Sequence, residues 1–140
     1  MGREVRRVPA SWSHPRDHEG HFIPLHASFP YNEDEIQEGL RDGWLNDAPP
    51  YYGCSIMPDW SPAVRTHYQM YETTSEGTPI SPIMETPEAL ARWLADNNAS
   101  AFAGMGATYE QWLATITRGS AVSAAYLPGK GFISGVAAGV

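Results

Sequence analysis

The sequence predicts one α+β domain with about three short helices, a small and mostly antiparallel sheet, and long ordered proline-rich loops. A chain of 140 residues has the length of one domain with one core. Its five tryptophans, seven tyrosines and four phenylalanines supply apolar area for that core. Twelve prolines and thirteen glycines indicate many loops, since proline cannot donate to a helix or sheet ladder. We therefore expect residues 1–140 to form a single domain.

The N-terminal part of the chain predicts a strand, a loop and a helix, in that order. Residues 3–8 have the length and charge of a short edge strand. Residues 9–31 contain repeated prolines and are expected to form a long ordered loop. Asn32 can cap a helix that runs to about Asn46, with Glu35 completing a capping box. The apolar residues of this helix recur at every fourth position and share one face: Ile36, Leu40 and Trp44.

The middle of the chain predicts a second loop, a strand and a connection. Residues 48–62 again contain several prolines and are expected to form an ordered loop. Residues 66–72 are expected to form a strand, whose side chains point alternately to two faces. Residues 73–85 are rich in turn-forming residues and lead to the next helix.

Two short amphipathic helices should follow and pack as a hairpin. Thr86 can cap the first helix, Pro87 takes its first position, and Asn97 is a suitable end. Thr108 opens the second helix, which ends at Gly119. The expected buried residues are Leu90, Trp93 and Leu94 in the first helix, and Trp112, Leu113 and Ile116 in the second.

The chain should end in a β-hairpin. Residues 121–127 and 132–136 are two short apolar runs, and a glycine-rich turn separates them. The turn, Pro128–Gly131, lacks the spacing of a phosphate-binding loop and leads into a strand. Because Pro128, Gly129, Lys130 and Gly131 interrupt the apolar stretch 121–140, we expect no membrane span there.

Charge is distributed unevenly along the chain. The formal net charge is −7, and residues 33–110 carry thirteen acids against three arginines. Such a segment disfavours direct nucleic-acid binding, and it can be either a solvated face or a surface that contacts a basic partner. The candidate interaction surface combines acids with aromatic residues: Glu33, Asp34, Glu38, Tyr51, Tyr52 and Trp60.

Four of the five histidines lie within thirteen residues, from His14 to His26. Imidazoles and carboxylates bind divalent transition metals, so His14, His18 and His21 are candidate ligands. The spacing matches no standard metal motif, and Pro15 argues against a helix that would align them. We therefore interpret this segment first as an ordered structural loop, with His14 at a turn before Pro15. A divalent metal site is the alternative, and no other cofactor is expected.

The remaining reactive side chains form no convincing catalytic set. Cys54 is the only cysteine, and no active-site signature surrounds it. Asp59 and His67 could act with Cys54 as orienter and base, but their local sequence does not support this. The sequence assigns no catalytic residue and favours a protein that is not an enzyme, without deciding the question.

Four segments carry a distinctive combination of residues: 2–15, 70–82, 86–96 and 99–103. Their most characteristic part is Thr-Ser-Glu-Gly-Thr-Pro at 74–79, followed by the helix start at Thr86. Together these segments resemble a family of small, mostly uncharacterised proteins encoded by bacterial phages and prophages. The resemblance implies a viral accessory context and provides no catalytic residues.

We therefore expect an accessory protein that acts in the cytoplasm of the bacterial host. It would bind a host or viral protein without catalysis, for example to inhibit a host defence complex through its acidic, aromatic-rich surface. One alternative is a metal-binding module or metal-dependent enzyme that uses residues 14–26. Another is a structural component of the virion. A homo-oligomer is compatible with the sequence, whereas membrane association is not expected.

Overall fold

The fold is α+β, as predicted, with two small antiparallel sheets and four helices among the described residues. The computed structural model describes residues 2–25, 33–44, 57–73, 77–129 and 131–140, without the side chains of residues 33, 35, 36 and 127. The elements in chain order are β1 (Arg3–Val8), α1 (Glu33–Asp42), β2 (His67–Glu72), α2 (Pro87–Asp96), α3 (Tyr109–Arg118), β3 (Ser120–Ala121), β4 (Ala124–Leu127), β5 (Gly131–Ser134) and α4 (Gly135–Ala138).

The first strand is central in its sheet, so the prediction of an edge strand is wrong. The order is β2-β1-β3, and both pairings of β1 are antiparallel. Arg3 stands opposite Glu72 on one side and Ala121 on the other, and it is only 5% exposed. Its guanidinium donates to Ser100 O at 2.9 Å. Burial lowers the pKa of Arg3, and the charge of Glu72 opposes that effect. The charges expected at the surface are therefore partly buried because the strand is covered on both sides.

The segment predicted as a turn-rich connection also extends the sheet. Tyr68 and Met84 exchange two backbone hydrogen bonds of 2.8 Å, and Ile80 N donates to Met70 O at 2.9 Å. This pairing satisfies the outer edge of β2. The last four residues of β2 are buried, including the polar residues Gln69 and Glu72.

The two amphipathic helices form as predicted, because each carries its own start and stop signals. Thr86 Oγ1 accepts from Ala89 N at 3.0 Å, and Thr108 and Gln111 form a reciprocal capping box. Gly119 ends α3 in the left-handed conformation. The main core joins both helices to β2 and includes Met70, Leu90, Leu94, Trp112 and Ile116. Trp93 and Leu113, also predicted to be buried, are half-buried at its margin.

The first helix is shorter than predicted. It ends at Asp42 rather than near Asn46, because Gly43 adopts a left-handed conformation with φ +83°. Leu40 is half-buried, whereas Trp44 lies beyond the helix and is 51% exposed. The predicted cap at Asn32 lies outside the described residues.

The C-terminal hairpin is confirmed, but its arms are shorter than predicted. Strands β4 and β5 pair from Ala124 opposite Ser134 to Leu127 opposite Gly131. Ser134 ends the second arm because its hydroxyl accepts from Ala137 N at 3.0 Å and caps α4. Val136, expected in the strand, is a buried residue of this fourth helix.

Candidate functional site

The histidine-rich loop is held in a tight turn by Asp17. The Asp17 carboxylate accepts from the backbone N–H groups of Glu19 and His21, at 2.9 and 3.0 Å. Asp17 N donates to His21 O at 2.8 Å, and Gly20 has a φ of +87° that favours glycine. The bond from His21 N is the main reason that the pKa of Asp17 is lowered.

This turn brings Asp17, Glu19 and His21 together at the surface. Among the described residues, they are the one group of three whose potential metal-ligand atoms lie within 4.8 Å of one another. His21 Nδ1 lies 3.8 Å from Asp17 Oδ2 and 3.6 Å from Glu19 Oε2. The predicted ligands His14, His18 and His21 do not form such a group. The backbone hydrogen bonds of the turn account for the position of Asp17, and the cluster is a candidate metal site on proximity alone.

His14 instead points into the interior and is only 5% exposed. Its Nε2 lies 2.6 Å from Ile23 O, and its Nδ1 lies 2.9 Å from the Tyr71 hydroxyl. A carbonyl oxygen can only accept a hydrogen bond, so His14 Nε2 carries a proton and donates it to Ile23 O. In the neutral ring Nδ1 has no proton, so it accepts a hydrogen bond from the Tyr71 hydroxyl. Burial lowers the pKa of His14 and thereby favours this neutral ring.

Tyr71 is the centre of this buried polar cluster. Besides His14, its hydroxyl accepts from Trp12 Nε1 at 3.2 Å and lies 3.2 Å from Gln69 Oε1. The amide nitrogen of Gln69 donates to Ser81 O at 3.0 Å, which links the cluster to the segment beside β2. Burial raises the pKa of Tyr71 to about 12, so the hydroxyl keeps its proton at neutral pH. The cluster thus joins the N-terminal loop to the sheet.

An aromatic groove of about 510 Å³ lies over this cluster. Its lining includes Trp12, His14, Phe22, Gln69 and Trp93. Trp12 and Phe22 meet the His14 ring edge-on, at centroid distances of 6.1 and 5.5 Å. The His14 ring therefore packs between the two aromatic side chains. Because both of its nitrogens already have hydrogen-bond partners, proton transfer to a ligand would first require breaking one of these hydrogen bonds.

The predicted acidic and aromatic surface is only partly described. Asp34 and Glu38 are exposed on α1, one turn apart, whereas Tyr51, Tyr52 and the Glu33 side chain lie outside the described residues. Trp60 is half-buried and packs edge-on against Trp12, with 4.9 Å between ring centroids. The sequence does not predict this contact, because nothing in the residues around Trp12 or Trp60 indicates that the two rings will pack together.

The other candidate reactive residues are not brought together within the described part of the chain. His67 Nδ1 lies 2.8 Å from the hydroxyl of its neighbour Thr66, and Asp59 is exposed. Cys54 lies outside the described residues. No described helix is long and apolar enough to cross a membrane.

The chain matches no protein-family model, no curated protein and no solved structure. The resemblance to phage and prophage proteins therefore remains a prediction from the segments that carry it.

Proposed function

We propose that this protein is a phage or prophage accessory protein that acts by binding a host macromolecule without catalysing a reaction. Its binding surface is the acidic face of α1, defined by Asp34 and Glu38. Its partner is a protein with a basic surface, such as a component of a host defence complex, and the encounter takes place in the bacterial cytoplasm.

The proposal is supported chiefly by the exposure of the two carboxylates and by the lack of a cationic partner among the described residues. Asp34 and Glu38 lie four residues apart, so they share one side of α1, and both are exposed. In the described part of the chain, neither has a lysine, arginine or histidine nitrogen within 4.0 Å. Unpaired carboxylates of this kind attract a basic partner and accelerate its association.

The charge of the surrounding chain supports the same partner chemistry. Residues 33–110 carry a large excess of acids, which repels nucleic acid and favours a cationic protein surface. A contact of this kind weakens with added salt, because salt screens charges that are exposed to solvent. Salt dependence therefore separates it from an apolar contact.

The test is affinity capture from a bacterial lysate with matched charge variants. Asp34→Lys together with Glu38→Lys should abolish capture of a basic protein that the wild type retains. Glu85→Lys together with Asp96→Lys changes the net charge equally at exposed acids elsewhere, and this control should retain the partner. Equal capture by wild type, variant and control would reject α1 as the binding surface.

Metal binding is the second candidate function, and the cluster of Asp17, Glu19 and His21 is the observation that favours it. Calorimetric titration of untagged protein with Zn²⁺ tests it. Saturable binding at one equivalent that is lost in His21→Ala would support a metal-binding module. Absence of binding, with no change in unfolding temperature on chelation, would remove it.

A further inference from the structure

The C-terminal hairpin presents the two most exposed large apolar side chains of the described residues. Tyr126 is 65% exposed and Phe132 is 71% exposed. They stand opposite each other in β4 and β5, with 5.4 Å between ring centroids. Single apolar residues at a surface are ordinary, but adjoining exposed aromatic rings are typical of a contact surface.

The same hairpin has an unpaired backbone edge. Its sheet contains two strands only, β4 and β5. Gly135 N donates to Ser123 O at 3.2 Å. Because bonded and non-bonded pairs alternate along an antiparallel ladder, the N–H and C=O groups of Ala124 and Tyr126 point away from β5. In the described part of the chain these groups have no backbone partner. An open edge of this kind can pair with another strand.

The charge of this region indicates what covers the edge. Residues 111–140 contain no aspartate or glutamate and two basic residues, Arg118 and Lys130, whereas the whole chain has a net charge of −7. A surface that meets a copy of itself also meets its own charge, so two acidic surfaces of this chain would repel each other. The hairpin strands carry no charged side chain. They therefore let two copies approach with little repulsion and offer nothing to a strongly charged partner.

We propose that a second copy of this chain adds to the outer edge of β4, so that two hairpins form one four-stranded antiparallel sheet. An antiparallel edge is self-complementary, because two identical strands exchange their N–H and C=O groups around a twofold axis. The outward groups of Ala124 and Tyr126 would bond to those of the second copy. The small side chain of Ala124 would leave room for the neighbouring tyrosine ring. The proposal does not depend on the acidic face of α1.

The size of the hairpin predicts a weak dimer. Four partly exposed aromatic rings and two short strand edges provide on the order of 1,000 Å² of contact area. This area is at the low end of specific interfaces, where association is transient. We therefore expect a dissociation constant of about 10–100 µM.

Sedimentation velocity of the full chain measures this association. From about 1 µM to about 500 µM, the sedimentation coefficient should rise from that of a monomer to that of a dimer. Added sodium chloride should strengthen the dimer, since it screens the repulsion between two chains of net charge −7. Binding of a basic partner through α1 should weaken with salt, so the two proposals give opposite results.

Variants locate the contact. Tyr126→Thr combined with Phe132→Thr should weaken dimerisation at least tenfold, while threonine keeps the preference of these positions for a strand. Val64→Thr combined with Met105→Gln is the matched control, because it removes two exposed apolar side chains outside the hairpin. This control should dimerise as the wild type does.

Amide hydrogen exchange of the wild type tests the edge without a substitution. The amides of Ala124 and Tyr126 should exchange more slowly at high protein concentration than at low concentration. The amide of Phe132 is the internal control, because it points to the opposite edge of the hairpin and should not change. This measurement decides the question if the double threonine variant fails to fold.

Three results would overturn the proposal. One is a monomer at every concentration and salt. Another is an equal loss of dimer in the hairpin variant and in its control, which would place the contact elsewhere. The third is a dimer in which the amides of Ala124 and Tyr126 gain no protection.

Discussion

The imidazole Nδ1 of His14 lies 2.9 Å from the hydroxyl of Tyr71, and both side chains are buried. The contact joins the N-terminal loop to strand β2, and the two residues are 57 positions apart in the sequence. Tyr71 has one hydroxyl proton and two acceptors within reach, His14 Nδ1 and Gln69 Oε1. When the imidazole is neutral, the Tyr71 hydroxyl donates its hydrogen bond to His14 Nδ1, which is the shorter of the two contacts. The protonation state of His14 therefore determines how the polar cluster is bonded.

Stability should consequently depend on pH through His14. Folding lowers the pKa of His14 below its ordinary value of 6.5, chiefly by burial. Just below that pH the unfolded chain binds more protons than the folded one, so the free energy of unfolding falls as pH falls. Above it, the contribution of the neutral ring is fully present. Urea unfolding between about pH 5 and pH 7 should show this slope in the wild type and a shallower slope in His14→Gln. Equal slopes would contradict the assignment.

Removing the hydroxyl of Tyr71 should destabilise the fold. Tyr71→Phe leaves Trp12 Nε1 and His14 Nδ1 without their common partner, and buried polar groups in that state cost about 1–3 kcal/mol. Tyr126→Phe is the control, because Tyr126 is 65% exposed and should lose almost nothing. Chemical denaturation of both variants measures the difference. A loss in Tyr71→Phe no greater than in Tyr126→Phe would show that the cluster does not stabilise the fold.

Trp112 is fully buried between the helices and the sheet. Its indole Nε1–H has no hydrogen-bond partner within the described residues. Trp112→Phe therefore removes a buried donor along with some volume, and we expect it to cost less than about 2 kcal/mol. Trp112→Ala leaves a cavity and should cost about 3–5 kcal/mol. Comparable losses in the two variants would indicate that the indole N–H is bonded.

The elements that the sequence predicted best are those specified by neighbouring residues. The helix starts at Thr86 and Thr108 and the stop at Gly119 depend on side chains within a few positions, so local spacing is sufficient. The pairing of strands that are distant in the sequence has no comparable local pattern. The central place of β1 depends on β3, which lies more than a hundred residues later and pairs only with Arg3 and Glu4.

The candidate sites also divide into features set by neighbouring residues and features set by residues that are distant in the sequence. The histidine cluster was visible because its members are close in sequence, but the turn at Asp17 separates exposed His21 from buried His14. The partner of His14 is Tyr71, 57 residues away, and a tyrosine in a strand does not identify the residue it will contact.

Binding of a basic partner through α1 can be measured as an affinity. The captured partner is titrated by calorimetry with wild type, with Asp34→Lys and Glu38→Lys combined, and with Glu85→Lys and Asp96→Lys combined. We expect the α1 variant to lose at least tenfold in affinity and the control to lose less than about threefold. Wild-type binding should also weaken at higher salt. Unchanged affinity of the α1 variant at low salt would show that α1 is not the binding surface.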